Sequence, residues 1–133
     1  MSGGANVVLD KGYIAAAAVT MYRCVKFSSN VGDAVNHVAA LTDQPIGVAQ
    51  ENATAGDATN GRIINVRHLG ISFVRASGAL ATIGIAVSAD ANGRAVASGA
   101  NLNPRLGILL TPAGALDDLV AVLLCIGSAS AAS

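Results

Sequence analysis

Two histidines, His37 and His68, a single glutamate, Glu51, seven aspartates and two cysteines, Cys24 and Cys125, make up the chain's supply of groups for acid–base, nucleophilic or metal chemistry. Neither histidine has a second His, Cys or Glu at metal-ligand spacing, so zinc or iron would need a site assembled from distant segments. Both sit in strand-like patterns and read as structural or surface side chains. Cys24 lies close to Arg23 and Lys26, and nearby cations activate a thiol. In a strand, however, Arg23 points to the face opposite Cys24 and leaves only Lys26 beside it. Each cysteine lies in an apolar run and reads as a buried free thiol, the usual state of reduced cysteine; sequence alone leaves open whether the two pair. Asp117 and Asp118 precede the last apolar run and read as a turn cap rather than a cation site. Gly78 to Gly84 lacks the Gly-Lys-Ser/Thr ending of a phosphate loop, and neither Gly-x-Gly-x-x-Gly nor Gly-x-Ser-x-Gly occurs. The expectation is a chain that is not an enzyme, with no catalytic residue, no metal and no cofactor.

Composition narrows the partners. Eight Lys or Arg balance eight Asp or Glu, neither sign forms a run, and only 12% of residues are charged. Nucleic acid is then not expected, because polyanion binding draws its strength from clustered cations that displace counterions. A weakly charged surface suits close protein contacts instead. The hydrophobic fraction of 53% contains 27 alanines, and the aromatic residues are only Tyr13, Tyr22, Phe27 and Phe73. Large aromatic side chains bury about 150–250 Å² each and dominate most cores, so the interior is expected to be thin and to gain stability from neighbouring subunits. No cationic residue opens the chain between Met1 and Asp10, and the apolar stretch Tyr13 to Tyr22 is too short to span a bilayer. Synthesis in the cytoplasm, with no membrane partner, is the reading.

The rest of the chain reads mostly as strands. Residues 1–12 are expected to form an extended N-terminal arm, 13–127 a single β-domain and 128–133 a flexible tail. The arm carries Asn6, Val7, Val8 and Leu9, an apolar patch that either adds an edge strand at home or docks on a partner. Ile14 to Phe27 contains the helix-forming tetrapeptide Ala15 to Ala18, but Val19, Met21, Val25 and Phe27 share one parity, which favours a strand. Further strands are predicted at Ala34 to Leu41, Ile46 to Ala49, Arg62 to Val74 with a bulge or bend at Gly70, Ile85 to Ser88, Arg94 to Ala97, Leu106 to Leu110 and Leu119 to Ile126. Asn92-Gly93 is the hairpin signal between the strands on either side of it. Gln50 to Gly61 reads as a loop and Ala76 to Thr82 as one turn of helix. The fold class is all-β: a compact β-sandwich or partly closed barrel with at most one short helix.

A correspondence recurs at an offset of 60 residues. Ile46-Gly47-Val48 matches Leu106-Gly107-Ile108, Asp57 matches Asp117, and Ile63-Ile64 matches Leu123-Leu124. A strand–loop–strand unit present twice fits a sandwich or barrel built from hairpins.

Taken in order, several segments together resemble the small capsid decoration, or cement, proteins of tailed bacteriophages. They are Gly32-Asp33-Ala34-Val35 and Pro45 to Ala53, Val66-Arg67-His68-Leu69-Gly70-Ile71, Gly84-Ile85-Ala86-Val87, Asp90 to Arg94, Leu106-Gly107-Ile108 and Val120 to Leu124. The resemblance spans about residues 12–126. It implies a β-domain with an N-terminal arm, homotrimeric, seated on the outside of an icosahedral head in the virion and bridging neighbouring major capsid proteins. Asn6, Val7, Val8 and Leu9 would then be partner-binding residues. The competing reading is a β-sandwich module that binds carbohydrate or a host surface; aromatic platforms would support it, and the chain has no Trp.

Overall fold

The computed structural model describes residues 6–28, 33–98 and 103–127. Nine strands and one short helix follow one another: β1 (Asn6–Ala15), β2 (Cys24–Phe27), β3 (Ala34–His37), β4 (Gly47–Ala49), α1 (Ala55–Thr59), β5 (Ile63–Arg75), β6 (Ala86–Ala89), β7 (Ala95–Ala97), β8 (Arg105–Leu109) and β9 (Leu119–Gly127). The fold is all-β. All nine strands join one sheet in the order β1-β3-β2-β4-β5-β9-β8-β6-β7, and β1 also pairs with β5. That extra pairing curls the first five strands into a partly closed barrel. Its seam is short: two parallel pairs, Ile14–Ala34 and Ala15–Val35.

The second half repeats the first. The mutual backbone bridge Val19–Ala53 recurs as Leu80–Ala113, and the parallel seam Ala15–Val35 recurs as the bridge Ala76–Ala95. Hydrogen bonds from Tyr22 N to Ala49 O and from Ala49 N to Arg23 O recur from Gly84 N to Leu109 O and from Leu109 N to Ile85 O. The β2–β3 hairpin corresponds to β6–β7, and β4 to β8. β5 is shared: its first part closes the first half against β1 and β4, and Gly70 to Arg75 pair with β9 to open the second. Pairing Val48–Arg67 has its counterpart in Ile108–Leu123, so β5 maps onto β9 at an offset of 56 rather than 60. The four extra residues of the first half lie in the segment that contains α1. The sequence offset of 60 is therefore right for Gly47 and Gly107 but places Ile63 four residues too far along β9.

Each half has its own core. Tyr13, Ala15, Val19, Val25, Ala49, Ala53, Ile64 and Val66 fill the first; Val74, Ala76, Leu80, Val87, Leu109, Ala113, Val120 and Val122 take the matching places in the second. The largest fully buried side chains are Ile64, Leu106 and Leu109, followed by valines. Burying one such side chain contributes roughly 1.5–3 kcal/mol, and no fully buried aromatic adds to it. Cys24, Val38 and Val48 belong to first-half strands or their flanks but pack into the second core. They weld the halves together.

Three expectations need correction. Residues 16–23 are not strand: β1 stops at Ala15, and the chain runs through the Val19 bridge and a tight turn in which Tyr22 adopts φ 67°. The alanines there form no helix because the chain must reverse between two paired strands. The helix lies at Ala55–Thr59, inside the stretch read as a loop, and not at Ala76 to Thr82. A capping box starts it, with Thr54 accepting from Asp57 N–H and Asp57 accepting from Thr54 N–H. The Asn92-Gly93 hairpin forms as expected between β6 and β7, with Gly93 at φ 74° and Asp90 Oδ1 accepting from the backbone N–H of Asn92 and Arg94. The expected tail, 128–133, and the start of the expected arm, 1–5, lie outside the described residues.

Candidate functional site

The groups singled out for chemistry are held apart in structural roles. His68 sits where β5 has one residue more than β1, between the pairs Leu9–Leu69 and Asp10–Arg67. Its Nδ1 lies 2.6 Å from the Ile46 carbonyl and its Nε2 2.9 Å from the Tyr13 hydroxyl. A carbonyl only accepts, so Nδ1 carries a proton, and with Nδ1 as the donor Nε2 is the ring nitrogen left to accept from the Tyr13 hydroxyl. Burial, followed by the Asp33 carboxylate, raises the Tyr13 pKa and keeps that hydroxyl protonated. His37 is occupied elsewhere, its Nε2 accepting from Thr20 N–H at 2.8 Å. Burial and the nearby Arg23 cation hold it below the ordinary histidine range. Glu51 accepts from Asn65 N–H at 2.8 Å and faces Arg62 at 3.4 Å. Asp118 Oδ2 accepts from Gly114 and Ala115 N–H, while Asp117 pairs with Arg94 at 2.7 Å. Among the described residues no three His, Cys, Asp or Glu side chains gather where they could hold a metal ion.

The cysteines are both free, and they differ. Cys24 is buried, and desolvation pushes its thiol far above the normal range. Cys125 is exposed, contrary to expectation. The reason is parity: on β9 the side chains of Val120, Val122 and Leu124 are buried, while Leu119, Leu123 and Cys125 alternate to the outer face.

The structure places Asn6, Val7, Val8 and Leu9 on β1, antiparallel to β5. Asn6 pairs with Ile71, Val7 with Gly70 and Leu9 with Leu69, and Val8 is the extra residue of a bulge. Below them Asp10 is gripped by Arg67 Nε at 2.9 Å and Nη2 at 3.2 Å, and by Asn65 Nδ2 at 2.8 Å. Burial raises the Asp10 pKa, but these hydrogen bonds outweigh it and leave the carboxyl below its ordinary value. Val7, Val8 and Leu9 nevertheless stay 52%, 70% and 48% exposed. Among the described residues, β1 from Asn6 to Tyr13 is paired on one side only. A long edge of unpaired N–H and C=O groups flanked by apolar side chains is a template for adding a strand from another chain.

Sequence reading missed a second surface. On the outer face of β5 and β9, Ile71 faces Leu123 and Arg75 faces Leu119; Leu69, Leu119 and Leu123 are each a little under half exposed. A signal for it is present in Ile63-Ile64 and in Leu119 to Leu124, where apolar residues occupy both parities. Such strands are apolar on both faces and need cover on both.

This architecture and edge can be set beside known proteins. The family model for phage cement protein matches residues 5–124. The chain belongs to the phage cement protein family. That makes it a virion-associated phage structural protein. No curated protein matches it in sequence. Among solved structures it is similar to the head fiber gp8.5 N base of bacteriophage phi29, with a TM-score of 0.68, 19% identity, and coverage of 92% of this chain and 98% of that one. At that identity the likeness establishes a shared fold.

Proposed function

We propose that this cement protein seats on the outer surface of an assembled phage head, as a homotrimer, and bridges neighbouring major capsid proteins. Its role is structural rather than enzymatic, and it is made in the host cytoplasm before joining the virion. The observation that carries the reading is the open edge of β1, where Val7, Val8 and Leu9 stand exposed beside unpaired backbone. A capsid segment added there gains main-chain hydrogen bonds, and the apolar side chains supply the hydrophobic contact. A protein that binds only the assembled shell stabilises it by RT ln(1 + [L]/Kd) per site, and a trimer multiplies weak contacts through effective concentration.

Removing the whole arm would also strip β1 from β5, so point changes make the cleaner test. Val8→Lys places a charge on a side chain that is already 70% exposed, and it should leave the fold intact. Co-sedimentation with mature capsids lacking the protein, followed by imaging of the shell, should show saturable outer density for the wild type and at least about a tenfold weaker occupancy for the variant, the effect of 1.4 kcal/mol. Wild-type protein that leaves such capsids bare would refute the function; full occupancy by the variant would refute the edge.

A further inference from the structure

The two halves differ in one place where their pairing is the same. In the first half a row crosses four strands through the register pairs Asp10–Arg67, Arg67–Val48 and Val48–Cys24. In the second the corresponding row runs Ile71–Leu123, Leu123–Ile108 and Ile108–Ala86. Both rows lie on the side of the sheet away from their own half's core. In the first, that side is covered: Val48 and Cys24 are fully buried in the second half's core, and the β6–β7 hairpin closes over them, Gly93 O accepting from Cys24 N–H at 2.7 Å. In the second, nothing among the described residues covers it. Leu123 is 44% exposed, Ile71, Ile108 and Ala86 are partly exposed, and Leu119 and Cys125 stand open beside them. Where the covered row carries the Asp10–Arg67 ion pair at its outer end, the bare one carries only aliphatic side chains.

We infer that the bare row is covered by a second copy of this chain, whose first half sits on it as the second half here sits on Cys24 and Val48. The existing half-to-half contact is thereby continued from one molecule to the next. Three features of the fold support that occupant. The first half of another copy has the same strand order and hairpin as the half that already covers the equivalent face. The row is uncharged, so it repels neither itself nor another weakly charged surface. The first half, in turn, offers unburied apolar side chains of its own in Phe27, Ile14 and Ile63, at 42%, 38% and 64% exposure. A contact between unlike surfaces of identical chains closes into a ring or extends as a filament; a closed trimer would contain six half-units in one cycle. This deepens the proposed function by assigning one face to self-association and leaving the β1 edge for the capsid.

The test needs no capsid. Sedimentation velocity of the full chain at high micromolar concentration should give a defined multiple of 13.1 kDa. Leu123→Arg should shift it to monomer with an unchanged circular dichroism spectrum, because Leu123 fills no core space. Cys125 serves as a local probe, since Cys24 is buried. Its maleimide labelling in the wild type should be suppressed at high concentration and should rise at least about tenfold on dilution, a readout that holds even if the variant folds poorly. A monomeric wild type, an oligomer whose mass and Cys125 labelling ignore Leu123→Arg, or labelling that does not change on dilution would each overturn the assignment. A monomeric wild type would also remove the homotrimer from the proposed function, whereas seating on the shell is read separately by capsid co-sedimentation.

Discussion

Gly47 and Gly107 occupy the same place in the two halves, each with its Cα against a carbonyl of the neighbouring strand, that of Arg67 in the first half and Leu123 in the second. A Cβ at either position would collide with backbone, which cannot swing aside as a side-chain tip does. Both pairs, β4–β5 and β8–β9, therefore approach more closely than a side chain allows.

Gly107→Ala and Gly47→Ala should each lower stability by about 2–3 kcal/mol, the range for overpacking a site that cannot yield. Urea titration followed by circular dichroism is the check. Because Cys24 and Val48 join the two cores, both variants should still unfold in one transition. A loss below about 0.5 kcal/mol, the noise level of surface changes, would mean that the strands separate freely.

The class of fold was readable because period-two burial and turn chemistry are local. Strands β4, β6, β7, β8 and β9 fall close to where parity and the flanking Gly, Asn and Asp place them. What escaped depended on distant partners. Nothing local reveals that β1 pairs along β5, since Val7, Val8 and Leu9 look alike as a free arm and as an edge strand. Cys125 sits in a run as apolar as that of Cys24, and only the pairing of β9 with β5 and β8 decides which parity faces out. The helix was legible in principle, because Thr54 and Asp57 have capping-box spacing, but five residues without an apolar stripe are hidden among polar neighbours. The repeat showed through Gly47 and Gly107, where geometry demands glycine, and blurred after them, where the first half is four residues longer.

Asp10→Ala tests how β1 is held. Asp10 and Arg67 are 18% and 12% exposed at their side chains, so the substitution leaves a guanidinium with less water than it needs. A loss of about 2 kcal/mol is expected, the scale for hydrogen bonds to charged groups. Amide exchange should localise it, with protection falling along residues 6–12 and in their β5 partners more than in the second half. Uniform loss of protection would show that β1 is no separate unit.

Stability should fall in acid in two stages. Well above pH 6.5 His37 is neutral whether the chain is folded or not, and it adds no pH dependence. As pH drops through 6.5 the unfolded chain takes up a proton that the folded ring resists, because its pKa is held down by burial and Arg23. Stability then declines, by at most about 1.4 kcal/mol per pH unit, and levels off below the folded pKa. His37→Gln should flatten the urea midpoint between pH 7.5 and 5.5 relative to wild type. A second decline belongs to Asp10 and Asp43, whose folded values lie below 3.8. What they add is present above that pH and is lost as pH falls through their folded pKa. A variant that parallels wild type between pH 7.5 and 5.5 would remove His37 from the first stage.

The Tyr13–His68 contact should behave as a coupled pair that tethers the β1–β5 seam to the Ile46 segment before β4. Tyr13→Phe leaves His68 Nε2 without its 2.9 Å donor in a half-buried place, which should cost about 1–2 kcal/mol. His68→Leu removes the same bond and also leaves the Ile46 carbonyl unserved, so its loss should be larger. Once His68 is gone, the Tyr13 hydroxyl has nothing to give up. The double variant should therefore be less damaged than the two singles added together, by about 1 kcal/mol. Strict additivity in urea unfolding would mean that ring and hydroxyl only lie side by side, packed edge-on at 5.4 Å, without a hydrogen bond that stabilises the seam.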